Sequence, residues 1–365
     1  MIKVCFFLTT LNSGGIENYL LRFLKYYEND IAATVFCKGG EYGELEKEYR
    51  NIQNIRLVKL HVGYYDLRAY FKIYQLIKKE SYDSVCDFTG NFAGIILLVA
   101  KLSGVKRRIS FYRGSTNHFK ETKLRLLYNK AILALVKRNA TKILSNSKTA
   151  LDFFYPERDI NDKRFKVIYN GIDAKQFIQT STIYTKSDFE IPENGYVVGH
   201  TGRYNSAKNH KTIIKVAEIL CAKYDNIYFI LCGKNTDHFL AEIISNNDVL
   251  KDKVKVLGFR SDVQNILPVF DLFFFPSITE GQPNSLIEAM IVGLPIVASD
   301  IEAIKETTPE FIHKELHNPL NIKGFEEEIE KKYLSRDNKP QNDISEWAIK
   351  QFDAKVLFDQ FYYEL

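Results

Sequence analysis

The chain has 365 residues, 45% of them hydrophobic, with 9 prolines and a net charge of +5. That length is long for one domain and suits two of about 150 to 200 residues, each able to bury a full core. The composition excludes a disordered chain, and the longest apolar run, residues 93–100, falls far short of the about 18 residues of a membrane span. The first residues lack the basic, apolar, small-residue order of a signal peptide. The five cysteines (Cys5, Cys37, Cys86, Cys221, Cys232) form no Cys-x-x-Cys pair, so free thiols in a reducing, cytoplasmic compartment are expected.

In chain order, buried-strand patterns alternate with helical ones. Strands are expected at 2–8, 32–36, 55–60, 84–87, 108–112, 142–145 and 166–168, with helices at 15–27, 42–50, 67–79, 92–102, 120–138 and 148–155 between them. Residues 179–195 are polar and aperiodic and read as a linker. The alternation restarts with strands at 196–201, 227–232, 254–257, 272–275 and 296–298, and helices at 208–224, 239–245, 262–267 and from Asn284 to Gly293. Beyond these, 310–313 reads as an edge strand and 323–333 as a helix. Residues 344–363 read as one final helix, with Trp347, Phe352, Val356, Leu357, Phe358 and Phe361 on its apolar side. Such alternation means parallel sheets covered by helices on both faces, an α/β fold.

Residues 270–300 hold the densest chemistry. A strand buried on both faces breaks at Pro276; the polar loop 277–283 carries Glu280, Gly281 and Gln282; a helix then begins at Asn284, followed by a second buried strand. In a parallel sheet, a loop leaving a strand's carboxyl end for a helix N-terminus is where anions bind, because unpaired N–H groups and the helix dipole point at them. Asn284, Ser285 and Leu286 offer those N–H groups. Glu288, one turn in, is placed to bond a pair of vicinal hydroxyls such as those of a ribose. The segment 200–210, HTGRYNSAKNH, likewise follows a strand and precedes a helix; Gly202 permits a sharp turn, and Arg203 and Lys208 can converge on one diphosphate. The loop 9–17, TTLNSGGIE, lacks Gly-x-Gly-x-x-Gly, yet Gly14 and Gly15 open a helix after a strand and let backbone approach a phosphate or sugar.

The order Pro276-Ser277, Glu280-Gly281, Glu288-Ala289 eight positions later, and Gly293-x-Pro295 resembles the donor-site signature of retaining glycosyltransferases of family four. The variant with Gln282, Pro283, Asn284 and Ser285 is similar to the branch that builds bacterial surface polysaccharides. The resemblance implies the GT-B fold, two facing Rossmann-like domains. Residues 1–173 would form the acceptor domain, 174–343 the nucleotide-sugar donor domain, and 344–365 would cross back to the first. It implies that Arg203 and Lys208 hold the donor diphosphate and stabilise the leaving nucleotide, with Glu280 as a third catalytic residue. The nucleobase is then expected beside Gly258, Phe259 and Arg260, and the Gly14–Gly15 pair across from the diphosphate. Where many family members carry a histidine near the reacting sugar, this chain has Cys86-Asp87-Phe88 and the run 112–118; Asp87, Arg113, Asn117 and His118 are the candidates to reach donor sugar or acceptor. A front-face route, in which the acceptor hydroxyl loses its proton to the departing phosphate, is implied rather than read from residues.

No Asp-x-Asp pair occurs, and the seven histidines stand without paired carboxylates, so metal-independent chemistry with no cofactor beyond the nucleotide-sugar co-substrate, of UDP or GDP type, is expected. Between Lys106 and Lys142, eleven basic residues face one acid, Glu121. That excess suits an anionic membrane face and a polyprenyl-diphosphate-linked acceptor, rather than a nucleic acid. The expected protein is a peripheral, cytoplasmic transferase in surface-polysaccharide assembly. Two alternatives stand beside it: a nucleotide-sugar epimerase of the same fold, and a silent nucleotide-sugar binding protein.

Overall fold

Within the strand formed by residues 2–8, residues 4–8 are apolar without alternation because both faces are covered there. In the computed structural model, which describes residues 1–63, 66–114, 122–178, 183–336 and 344–365 (with the side chain of Leu124 excepted), they pair on both sides with parallel strands. The strands are β1 Ile2–Leu8, β2 Ile31–Cys37, β3 Ile55–Lys59, β4 Ser84–Asp87, β5 Arg107–Tyr112, β6 Lys142–Ser145 and β7 Phe165–Val167. They form one parallel sheet in the order β3-β2-β1-β4-β5-β6-β7. A second parallel sheet contains β8 Tyr196–Thr201, β9 Ile227–Cys232, β10 Val254–Gly258, β11 Leu272–Phe275 and β12 Ile296–Ala298, in the order β10-β9-β8-β11-β12.

The chain divides into two compact units, Met1–Asn170 with Val356–Leu365, and Gly171–Lys355. In the first, one sheet face packs an aromatic cluster in which Phe361 lies 4.7 Å from Phe23 and 5.1 Å from Phe111, ring centre to centre. Phe358 and Phe361 come from the terminal helix Ala354–Glu364 and are buried. Glu364 pins that helix with ion pairs of 3.0 Å to Lys142 and to Lys166. Each fully buried Phe contributes about 1.5–3 kcal/mol, so the last turns of the chain are part of this core. In the second unit, Val198, Phe229, Leu231, Leu272 and Phe274 from the strands pack with Ile213, Ala217, Phe325 and Ile329 from helices.

Among the expected strands and helices, two differ in kind, while the helices expected at 42–50 and 208–224 begin later, at Glu46 and His210. Residues 310–313 do not pair as a strand; Glu310–Glu315 is a 3₁₀ turn started by Pro309, which lacks the N–H a ladder needs. The single terminal helix is two, Ile344–Gln351 and Ala354–Glu364. The break comes where Phe352 gives its carbonyl to Ile172 N–H at 2.9 Å, and Asp353 bridges Ile172. The first of the two helices packs within the second unit, Ser345 Oγ donating to the Ile291 carbonyl at 2.6 Å, while Val356 is exposed.

In each sheet the strand order reverses once, between β1 and β4 and between β8 and β11. Ligands of open α/β sheets bind beyond the carboxyl ends of strands at such a switch point. The loops leaving β8 and β11 are two of the three segments singled out in the sequence, and the third, 9–17, leaves β1.

Candidate active site

Gly202, the first residue past β8, donates its N–H to the Cys232 carbonyl at 2.8 Å, and Gly233 donates to the Gly258 carbonyl at 2.7 Å. The ends of β8, β9 and β10 therefore meet as bare backbone. A Cβ on Gly233 would lie 2.0 Å from the Gly202 carbonyl oxygen, and one on Gly258, at φ +64°, 2.8 Å from the Asp237 carboxylate. No side chain fits at these two positions.

The next residues fold into a 3₁₀ turn, Ser206–Lys208, capped by Asn205, whose side chain accepts the Lys208 N–H at 3.0 Å. Asn209 then adopts the left-handed conformation, which turns Lys208 away from the following helix His210–Lys223. The Asn209 side chain donates to the Pro276 carbonyl at 3.0 Å, and Ile278 N–H donates to the Ala207 carbonyl at 2.8 Å. These bonds lock the loop after β8 to the loop after β11. Their result is an ion pair of 2.7 Å between Lys208 Nζ and Glu280 Oε1, with side chains only 15% and 12% exposed, and with Nζ 4.5 Å from the Phe275 ring centre. Arg203, on the same loop, is exposed.

The helix Asn284–Val292 has no side-chain cap and no acid in its first turn, which leaves its positive end uncompensated. The Leu286 N–H is already donated to the Pro283 carbonyl at 3.1 Å and its side chain is core, so of the three expected donors Leu286 is spent. Ser285 precedes the first such bond, while Asn284, Gln282 and Glu288 are held in interactions of their own, Gln282 buried and Glu288 half-buried. Gly293 ends the helix at φ +84°.

Two family models match this chain: a glycosyltransferase family 4 model over residues 13–176 and a group 1 glycosyl transferase model over residues 184–351. The chain belongs to these glycosyltransferases. It is 28% identical over 345 residues to the capsular polysaccharide biosynthesis glycosyltransferase CapH of Staphylococcus aureus, 92% of each chain being covered. It is 26% identical over 260 residues to the Escherichia coli UDP-Gal:alpha-D-GlcNAc-diphosphoundecaprenol alpha-1,3-galactosyltransferase, covering 68% of this chain and 64% of that one. Anabaena HepE, solved in complex with UDP and glucose, superimposes with a TM-score of 0.80 at 20% identity, over 100% of this chain and 99% of HepE. The fold of this glycosyltransferase is thus GT-B.

The other expected site residues have partners of their own. Arg260 makes a two-toothed pair with Asp262, at 2.8 and 2.6 Å, and bonds the Tyr184 hydroxyl at 2.8 Å; it holds the Asp262 carboxyl down at about 2. Its guanidinium is held by these two partners, two residues past Gly258. Gly14 and Gly15 belong to the first unit, where Gly14 caps the helix Gly15–Tyr26; a Cβ on it would lie 2.6 Å from the Glu17 carboxylate, which already sits at that helix mouth. Asp87 is fully buried, pairing with Lys38 at 2.8 Å and accepting from the Thr89 N–H and hydroxyl at 2.7 and 2.6 Å. Asn117 and His118 lie outside the described residues, as do Lys120 and Glu121.

Sequence reasoning missed His200 and His210. The His200 Nδ1 donates to the Phe274 carbonyl at 2.9 Å, so its buried Nε2 is a bare acceptor, 2.9 Å from where a Cβ on Gly202 would stand. Burial, and then the neighbouring ring of His210 and the Lys208 charge, push His200 well down; burial and Lys208 push His210 to about 4. Both rings are neutral at pH 7. They bracket the segment HTGRYNSAKNH, and the helical run from Lys208 gave no sign that they pack together 5.1 Å apart, ring centre to centre.

Proposed function

We propose that this glycosyltransferase moves a sugar, with retention at its anomeric carbon, from a nucleoside diphosphate to a hydroxyl of a lipid-diphosphate-linked saccharide during surface-polysaccharide assembly. The observation that carries this reading is the convergence, within the second unit, of a side-chain-free floor, the Lys208–Glu280 pair and an uncompensated helix mouth at one switch point. The activity named for the Escherichia coli galactosyltransferase, with a UDP-linked donor and a diphosphoundecaprenol-linked acceptor, supports the donor and acceptor classes.

In this reading the nucleotide lies over Gly202, Gly233 and Gly258, and its diphosphate meets Arg203, Lys208 and the Ser285 N–H. As the bond from the sugar's anomeric carbon to the phosphate oxygen breaks, the charge developing on that oxygen falls between cations fixed in advance. The acceptor oxygen bonds the same carbon from the same face and gives its proton to the departing phosphate. Glu280 positions Lys208, and Glu288 bonds the ribose hydroxyls. The fixed cations supply the charge neutralisation a divalent ion would give, and among the described residues no three His, Cys, Asp or Glu side chains gather as a metal site.

A thermal-shift panel of uridine, guanosine and adenosine diphosphates tests the donor reading. One of them at about 100 times its Kd raises stability by about 2.7 kcal/mol; no shift with any of the three removes the site. The matching turnover assay is slow release of that nucleotide from its sugar conjugate.

The helix Lys123–Asn139 lends the first unit a basic surface: Lys123, Lys130, Lys137 and Arg138 are exposed, and Leu127 is 66% exposed among them. No helix among the described residues is long and apolar enough to cross a membrane. We propose that this face rests on anionic lipid, each nearby charge adding about 1 kcal/mol. Sedimentation with anionic vesicles and not with neutral ones is the expected result; equal binding to both overturns it.

A further inference from the structure

The first unit has its own cavity at the β1/β4 switch point, about 290 Å³, close to the lower end of small-ligand sites. Leu8, Thr9, Phe88, Asn91, Asn129 and Arg113 are among its walls. Arg113 is the anomaly. Its guanidinium lies 3.8 Å from the Tyr19 ring centre and 5.0 Å from that of Phe111, and all three of its nitrogens are shielded from solvent without a hydrogen-bond partner among the described residues. Burial chiefly draws Arg113 down to about 10; the Tyr19 hydroxyl beside it acts in the opposite direction, and Arg22, another cation, adds to the lowering. Asp87, at the end of the neighbouring strand, is spent on Lys38 and Thr89.

An unpaired buried charge is costly, and evolution retains one where something absent from the resting protein pays that cost. Stacking between aromatic faces fixes the guanidinium plane while leaving its N–H edges unbonded, the arrangement that forks a carboxylate or phosphate. Arg113 is already among the residues that line the cavity, and its side chain turns into it by giving up only its contacts with Tyr19 and Phe111.

We propose that Arg113 clamps an oxyanion of the acceptor in this cavity, and so selects acceptors that carry a phosphate or carboxylate group. The inference rests on the transferase reading above, and its test is arranged so that the two fail separately. Arg203→Ala with Lys208→Ala removes the cations of the second unit; inorganic pyrophosphate and glucuronate are then titrated calorimetrically into that double variant, with and without Arg113→Met. Binding of pyrophosphate that weakens about 10- to 100-fold with Arg113→Met assigns the clamp to a diphosphate, and the same result with glucuronate alone assigns it to a sugar carboxylate. Binding of neither probe, or binding unchanged by Arg113→Met, overturns the proposal whatever the donor site does. Arg113→Met on the otherwise unaltered chain is also expected to raise Tm, because it removes an unpaired charge and keeps most of the apolar stem. A fall in Tm would show a structural ion pair and would count against the clamp.

Discussion

Lys208→Ala is expected to lower kcat for sugar transfer by about 10²- to 10³-fold, the cost of removing one fixed stabiliser of transition-state charge. The ion pair with Glu280 makes the expected result more specific. Lys208 is held 2.7 Å from a carboxylate in a largely buried setting, so deleting it also strands Glu280 and lowers Tm. Adding Glu280→Gln removes the stranded charge and is expected to restore much of the Tm while leaving kcat low. Glu280→Gln alone leaves Lys208 charged but loosely held, and is expected to be milder in kcat than Lys208→Ala. Glu288→Ala, one turn into the donor-site helix, should instead raise the nucleotide's Kd with a smaller change in kcat. The measurements are kcat, nucleotide Kd and Tm for each variant. A double variant that recovers both Tm and kcat would mean that Lys208 matters only as a partner for Glu280, and the electrostatic role would be lost.

That Lys208 and Glu280 pair with each other was not legible in the sequence, although both were. The reason is range: they stand 72 positions apart, and what joins them is backbone and amide bonding between two loops, through Ala207, Ile278, Asn209 and Pro276. The same limit hid one partner of Arg260, since Tyr184 lies 76 positions earlier. Strands buried on both faces were readable to the residue at β1, β4, β6, β8, β9, β11 and β12, because a parallel sheet demands continuous apolar runs and turn residues bound them. The terminal helix was misjudged because its periodicity continues through Phe352, and the break comes from a bond to Ile172, remote in sequence. Lys208 reads as helical from sequence, yet a left-handed Asn209 separates it from the helix, a conformation asparagine tolerates and periodicity cannot report. Local chemistry thus pointed to the candidate site, and tertiary bonding decided which of its charges face each other.

Gly233→Ala is expected to be the most damaging change of a single methyl group in the donor site. The added carbon would stand 2.0 Å from the Gly202 carbonyl oxygen, 2.4 Å from its carbonyl carbon and 2.9 Å from Arg203 N. These are backbone atoms with no rotamer to relieve them, so the loop after β8 must move, and with it Arg203 and Lys208. Overpacking costs about 1–3 kcal/mol in ordinary cores, and a rigid neighbour puts this change at or above the upper end. A displacement of about 1 Å in a positioned charge is enough for about a 10²-fold loss of rate. Gly199→Ala supplies the control: its Cβ would meet the Phe270 ring at 1.9 Å, a clash within the core of the same unit and against a side chain. Both variants are expected to lower Tm by several degrees. Gly233→Ala alone should also weaken nucleotide binding more than tenfold in the folded fraction, read by calorimetry at a temperature where both variants are folded. Equal nucleotide affinity in the two would place the nucleotide somewhere other than the floor made by Gly202, Gly233 and Gly258.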